Sequence, residues 1–134
     1  MGEILVAYDG SEAARKGVEH AVRLLRPEDK LIVLSVIPVA ALKEFAEVDP
    51  ELSTARAQEA INELLAELKE REVHAIGVVR EGDIAEEIVK MGNEMSAELI
   101  VVGHKGISKI GRFQLGSVAD KVARYAERPV LIVR

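Results

Sequence analysis

Five short apolar runs punctuate the chain: Ile4 to Tyr8, Leu31 to Ile37, Val73 to Val79, Leu99 to Val102 and Val130 to Val133. Each is rich in Val, Ile and Leu and alternates only weakly, the pattern of strands covered on both faces in a parallel sheet. Between them lie four segments with apolar positions at helical spacing. Ser11 predicts the N-cap of a helix whose Ala14, Val18, Ala21, Val22 and Leu25 share one face, and Pro27 closes it. Asp49-Pro50 reads as N-cap and first helical residue ahead of Ala57, Ile61, Leu64, Leu65 and Leu68. Asp83 with Glu86 three residues on forms a capping box before Ile84, Ile88, Met91 and Met95. Ser117 with Asp120 offers a weaker cap before Val118, Val122 and Tyr125, and Pro129 follows the end.

The predicted order is therefore βαβαβαβαβ. Alternating strands and helices with right-handed crossovers give either a closed barrel, which needs about eight repeats, or an open doubly wound sheet. Five strands leave the open sheet: an α/β fold of Rossmann-like type, strand order 3-2-1-4-5, helices on both faces, with residues 1–134 as one domain. In such sheets a ligand sits outside the carboxyl ends of the strands where the order reverses, here between the first and fourth strands. The loops that matter are Asp9-Gly10-Ser11 and the one beginning at Gly103.

Composition narrows the function. At 134 residues and 49% hydrophobic the chain buries one core, and with 31% charged residues it reads as a soluble globular protein. A net charge of -5 and 3% aromatics argue against nucleic acid, which asks for a basic face and stacking rings. Cysteine is absent, which removes disulfides, thiolate zinc sites and thiol catalysis. His20, His74 and His104 stand far apart, so no local metal cage is predicted. The start lacks the basic and long apolar segments of a signal peptide, and no run nears the roughly 20 apolar residues of a membrane span. A cytoplasmic protein with no membrane partner is expected.

The chemistry concentrates after the fourth strand. Gly103-His104-Lys105-Gly106 opens the loop and Gly116-Ser117 closes it at the last helix. Glycines permit close backbone approach, so successive N–H groups can form an anion nest, and the helix start at Ser117 adds unpaired donors and dipole. No acidic residue falls between Leu99 and Ala119, while Lys105, Lys109 and Arg112 are basic. A phosphate chain fits this pattern. Across the crevice Asp9 can accept hydrogen bonds from ribose hydroxyls or an adenine amino group, or reach a metal held by phosphates. Each residue also has a plain structural role: glycines make turns, Ser117 caps, Asp9 shapes an Asp-Gly-Ser turn. The mainly apolar stretch from Pro38 to Val48 serves equally as a lid over the base or a surface for a partner subunit.

The spacing Gly103-x2-Gly106-x9-Gly116-Ser117 resembles the nucleotide-binding signature of the ATP-binding branch of the universal stress protein family. Ile4-Leu-Val-Ala-Tyr-Asp-Gly-Ser-Glu12 and Ala126-Glu-Arg-Pro-Val-Leu-Ile-Val-Arg134 are similar to that family too, whereas Gly111 and Gln114 depart from its pattern. The resemblance implies an adenine nucleotide alpha hydrolase-like fold with ATP, or ADP or AMP, as ligand. It implies Asp9 with the backbone of Ala7 and Tyr8 on the adenosine side and the main chain of Val36 on the adenine. Gly103, Lys105 and Gly106, preceded by Val102, would contact ribose and phosphates, with Gly116, Ser117 and Val118 closing around the phosphates. Val130 to Val133, an edge strand with no inward charge, should pair with its copy as a homodimer. The expected activity is binding, in a regulatory or stress-response role. A slow magnesium-dependent ATPase or phosphotransferase is the alternative use of the pocket, although no Gly-x4-Gly-Lys-Ser/Thr motif is present. A receiver domain would want a phosphoacceptor Asp where Val79-Arg80-Glu81 stands, and a flavin carrier would want more rings than Tyr8.

Overall fold

In the computed structural model, which describes residues 2–42, 44, 49–104 and 116–134, the five apolar runs become five parallel strands. These are β1 (Glu3–Ala7), β2 (Lys30–Ile37), β3 (Ala75–Glu81), β4 (Leu99–Gly103) and β5 (Val130–Val133), hydrogen-bonded in the order β3-β2-β1-β4-β5. Parallel register runs from Ile4 beside Leu31 and Leu99 to Gly103 beside Val133. The helices are α1 (Glu12–Leu24), α2 (Val39–Leu42), α3 (Pro50–Glu70), α4 (Ile84–Glu94) and α5 (Ser117–Tyr125).

Alternate strand residues feed two cores. Ile4, Val6, Leu31, Val33 and Val101 pack with Val18 of α1 and Ile61, Leu64 and Leu68 of α3 on one face. Leu5, Ile32, Leu34, Ile100 and Val102 pack with Ile88 of α4 and Val122 of α5 on the other. The central strands are buried on both faces, as continuous apolar runs require. The edges are not: no residue of β3 is fully buried and Ile76 is 43% exposed, because an edge strand is covered on fewer sides. Gly77 lets α3 settle onto this edge, since a Cβ there would collide with the Ile61 side chain.

Three local differences from the sequence pattern have physical causes. Residues 39–42 form a single helical turn, too short to leave a period. β3 starts at Ala75 rather than Val73, because Val73 is spent closing α3. The Val73 N–H donates to Leu68 O at 2.9 Å and Glu72 N–H to Lys69 O at 3.0 Å, with Glu72 left-handed at φ 59°. This is a Schellman closure, and α4 ends in the same way through Ser96 and Ala97. Finally, the N-cap of α5 is Gly116, not Ser117, and it carries no side-chain cap bond. The Ser11, Asp49 and Asp83 caps are as expected, each side chain accepting a backbone N–H of its first turn.

The amino ends of the strands are tied by charge. Asp29, 3% exposed, accepts Gly2 N–H at 3.0 Å on one oxygen and Arg26 N–H at 2.9 Å and Nε at 3.0 Å on the other. Arg26 reaches on to both carboxylate oxygens of Glu98 at 2.8 and 2.6 Å. The Arg26 guanidinium, its backbone N–H and that of Gly2 together hold the Asp29 carboxyl at about 2, against an ordinary 3.8.

Candidate functional site

The crevice arises where connections diverge. From β1 the chain leaves through α1 on one face of the sheet, and from β4 it leaves toward α5 on the other, although β1 and β4 are neighbours. Their carboxyl ends therefore part and leave a cleft.

On the β1 side, Asp9-Gly10-Ser11 is a tight turn. Asp9 accepts Ser11 N–H on Oδ1 at 2.9 Å, Gly10 takes a positive φ of 84°, and Ser11 Oγ accepts Ala14 N–H at 3.1 Å to start α1. Turn formation uses only one oxygen of this exposed carboxylate; Oδ2 has no hydrogen bond among the described residues. The turn role weighed for Asp9 is thus observed, and it leaves the second oxygen over. Tyr8 is buried among α1 and α3, and its N–H donates to Leu34 O at 2.8 Å, so its main chain borders the cleft while its ring belongs to the core. Ala7 is half-buried toward the opposite core.

Strand parity places Val36. Lys30 N–H and Leu34 O bond toward β1, whereas Leu31 N–H and Ile37 O bond toward β3. The even residues of β2 thus turn their main-chain groups to the β1 side. Val36 is the next even residue beyond Leu34 and β1 has already ended, so its N–H and C=O face the cleft. The same parity on β4 turns Gly103 toward β1, because Ile100 and His104 donate toward β5. A Cβ on Gly103 would rest 3.5 Å from Ala13 O, filling the space above the first turn of α1 that glycine leaves clear. Val102 has its side chain in the core and its main chain turned to β5, and so stands behind the cleft.

At the far wall Gly116 is buried, with φ -61° and ψ 154°. Having no side chain, it gives the first N–H groups of α5, those of Ser117 and Val118 among them, no side-chain cap bond. Ser117 is exposed and Val118 half-buried. Lys105 and Gly106 lie outside the described residues. Sequence reasoning passed over His104, which acts through main-chain atoms that its residue type does not advertise. Its N–H donates to Val133 O at 2.7 Å and its C=O accepts Gly116 N–H at 3.0 Å. A groove of about 450 Å³ lies elsewhere, between α4 and α5, lined by Ala85, Glu86, Val89, Lys90, Lys121 and Tyr125. Its two lysines come one from each helix, with Glu86 beside them. Among the described residues no three His, Asp or Glu side chains gather to hold a metal, and no helix is long and apolar enough to cross a membrane.

A doubly wound parallel sheet in the order β3-β2-β1-β4-β5, with its switch point between β1 and β4, defines an open-sheet α/β protein. The Universal stress protein family model matches residues 1–134, and the chain belongs to that family. It is 32% identical to universal stress protein YxiE of Bacillus subtilis, over 100% of this chain and 99% of that protein. Among solved structures, the hypothetical protein MJ0577 superposes with a TM-score of 0.80 at 29% identity, covering 98% of this chain and 94% of that one. A universal stress protein solved in complex with cAMP superposes at 0.64 with 25% identity, covering 99% and 96%.

Proposed function

We propose that this chain binds an adenine nucleotide, ATP first among the candidates, and works as a cytoplasmic regulatory homodimer in a stress response. The observation that carries the reading is the placement, at the carboxyl ends of β1, β2 and β4, of the Asp9 oxygen that its turn leaves over among the described residues, the main chain of Val36 and Gly103, and the start of α5 without a side-chain cap. Ribose hydroxyls donate to Asp9, the adenine edge pairs with Val36, and phosphates take the N–H groups at Gly103 and Ser117 to Val118. Lys105 and Gly106 belong to the same glycine signature and would contact ribose and phosphates. The relative in complex with cAMP supports an adenine nucleotide in this fold.

Dimerisation follows from the sheet edge. Pro129 O and Val133 O bond toward β4, so Val130 and Ile132 turn their main-chain groups outward. An antiparallel copy about a two-fold axis at Leu131 would pair Val130 with the partner's Ile132 and satisfy the edge. Hydrolysis with magnesium is the competing use of the pocket, favoured by the one free Asp9 oxygen. Calorimetric titration of ATP with and without magnesium, beside a phosphate-release assay, separates the two. Saturable heat without turnover is expected; steady phosphate release would make the protein an enzyme, and no heat at millimolar ATP would remove the nucleotide reading altogether.

A further inference from the structure

His104 is gripped at both of its main-chain groups, by Val133 O on one side and Gly116 N–H on the other. Val133 is the last residue of the edge strand β5 and is 5% exposed; Gly116 is buried and starts α5; Gly103, immediately before His104, faces the cleft. One residue therefore links the end of the pairing edge to both walls of the phosphate side. Bonds shielded from water in this way are costly to leave unmade, so displacement at one end is felt at the other.

We infer that nucleotide occupancy and pairing through β5 are coupled across His104, each tightening the other, a coupling that presupposes the nucleotide-binding dimer proposed above. Phosphates held at Gly103 and at the start of α5 fix both neighbours of His104. A fixed His104 N–H holds Val133 O, and with it the peptide that carries the outward C=O of Ile132. The ordering cost is met by whichever event comes first, so the second meets less of it. Linkage makes the factor the same in both directions. A change of about tenfold is expected, inside the roughly 5- to 150-fold span usual for such couplings.

The test is sedimentation velocity of the full chain with and without saturating ATP, with ATP affinity measured separately by calorimetry on every variant. The wild-type dimer constant should tighten about tenfold with ATP. His104→Ala keeps both main-chain bonds and should keep the shift, whatever it does to absolute affinity. His104→Pro removes the donor to Val133 and should lose the shift while ATP still binds. ATP that binds without moving the wild-type dimer constant overturns the coupling and leaves the nucleotide reading standing. An absence of ATP binding, or of any dimer, defeats that reading and takes the coupling with it. Should His104→Pro not fold, hydrogen exchange on the wild type decides. The His104 amide should slow both on adding ATP and, without ATP, on raising protein concentration; slowing in only one case overturns the coupling.

Discussion

The two ends of the sheet solve opposite problems. At the amino ends, charge is locked: Asp29 takes three N–H donors, Arg26 bridges it to Glu98, and Arg128 Nε donates to Ala97 O at 2.6 Å. At the carboxyl ends polar groups are left over among the described residues: one oxygen of Asp9 and the main chain of Val36, beside the start of α5, which has no side-chain cap. Buried polar atoms that are satisfied hold a fold together, whereas those left unsatisfied at a cleft are ready to meet a ligand. On the proposed function, stability and binding are carried by different ends, and substitutions should separate them.

The largest separation is expected at Gly116→Val. The backbone there, φ -61° and ψ 154°, suits any residue, so valine brings bulk without backbone strain. ATP affinity should fall at least about 100-fold, some 2.7 kcal/mol, while the poorer N-cap lowers stability by only about 1 kcal/mol. Calorimetry beside thermal melts checks both halves; a valine variant that binds ATP as well as wild type would show that phosphates do not approach this residue.

The reverse separation is expected at Asp29→Asn, where an amide turns hydrogens toward donors that need an acceptor. Stability at pH 7 should drop and ATP affinity, corrected for the folded fraction, should hold. The acid limb sharpens the point. Because the folded-state value of Asp29 is depressed to about 2 from 3.8, its contribution is fully present above pH 4 and is lost as pH falls toward 2. Glu19, held low by the Arg71 guanidinium, adds in the same sense. Urea titrations at pH 7, 4 and 2 should show wild type losing stability over that window and Asp29→Asn losing less. Equal slopes in the two proteins would mean the Asp29 network does not govern the acid limb.

Asp9→Asn is a milder cut at the carboxyl end. Asparagine keeps an oxygen for Ser11 N–H and so keeps the turn, but its nitrogen cannot accept from a ribose hydroxyl. Affinity for ATP should fall about tenfold, 1.4 kcal/mol, with stability unchanged. An unchanged dissociation constant would reduce Asp9 to its turn.

What the sequence discloses and what it conceals divide along similar lines. Strands buried on both faces must be continuous apolar runs, so the sheet was legible, and the limits of β5 coincide with its run. Ser11, Asp49 and Asp83 cap through side chains acting on near neighbours, and that also reads. Gly116 caps without a side chain, and His104 acts through its main chain, so neither role shows in residue type. Arg26 and Glu98 meet across 72 positions, a distance no local pattern spans. At the site, the Asp9 turn was legible from Asp-Gly-Ser, and the places of Gly103 at the end of β4 and Gly116 at the start of α5 from their spacing, whereas the direction of the Val36 main chain needed strand parity that only the register supplies.

The amino end also holds a place where the fold keeps strain it could shed. Glu72 sits left-handed at φ 59° in the Schellman closure of α3, where glycine is the usual occupant. A non-glycine residue there costs roughly 1–2 kcal/mol. Glycine would relieve that but adds freedom to the unfolded chain worth about 0.4–1 kcal/mol. Glu72→Gly should therefore stabilise the protein by about 0.5–1 kcal/mol, read as a rise in the urea midpoint with an unchanged slope. ATP affinity should not move, because α3 ends at the opposite side of the sheet from the cleft. A loss of stability would mean the Glu72 side chain contributes more than its backbone costs, and a changed ATP affinity would break the independence of the two ends.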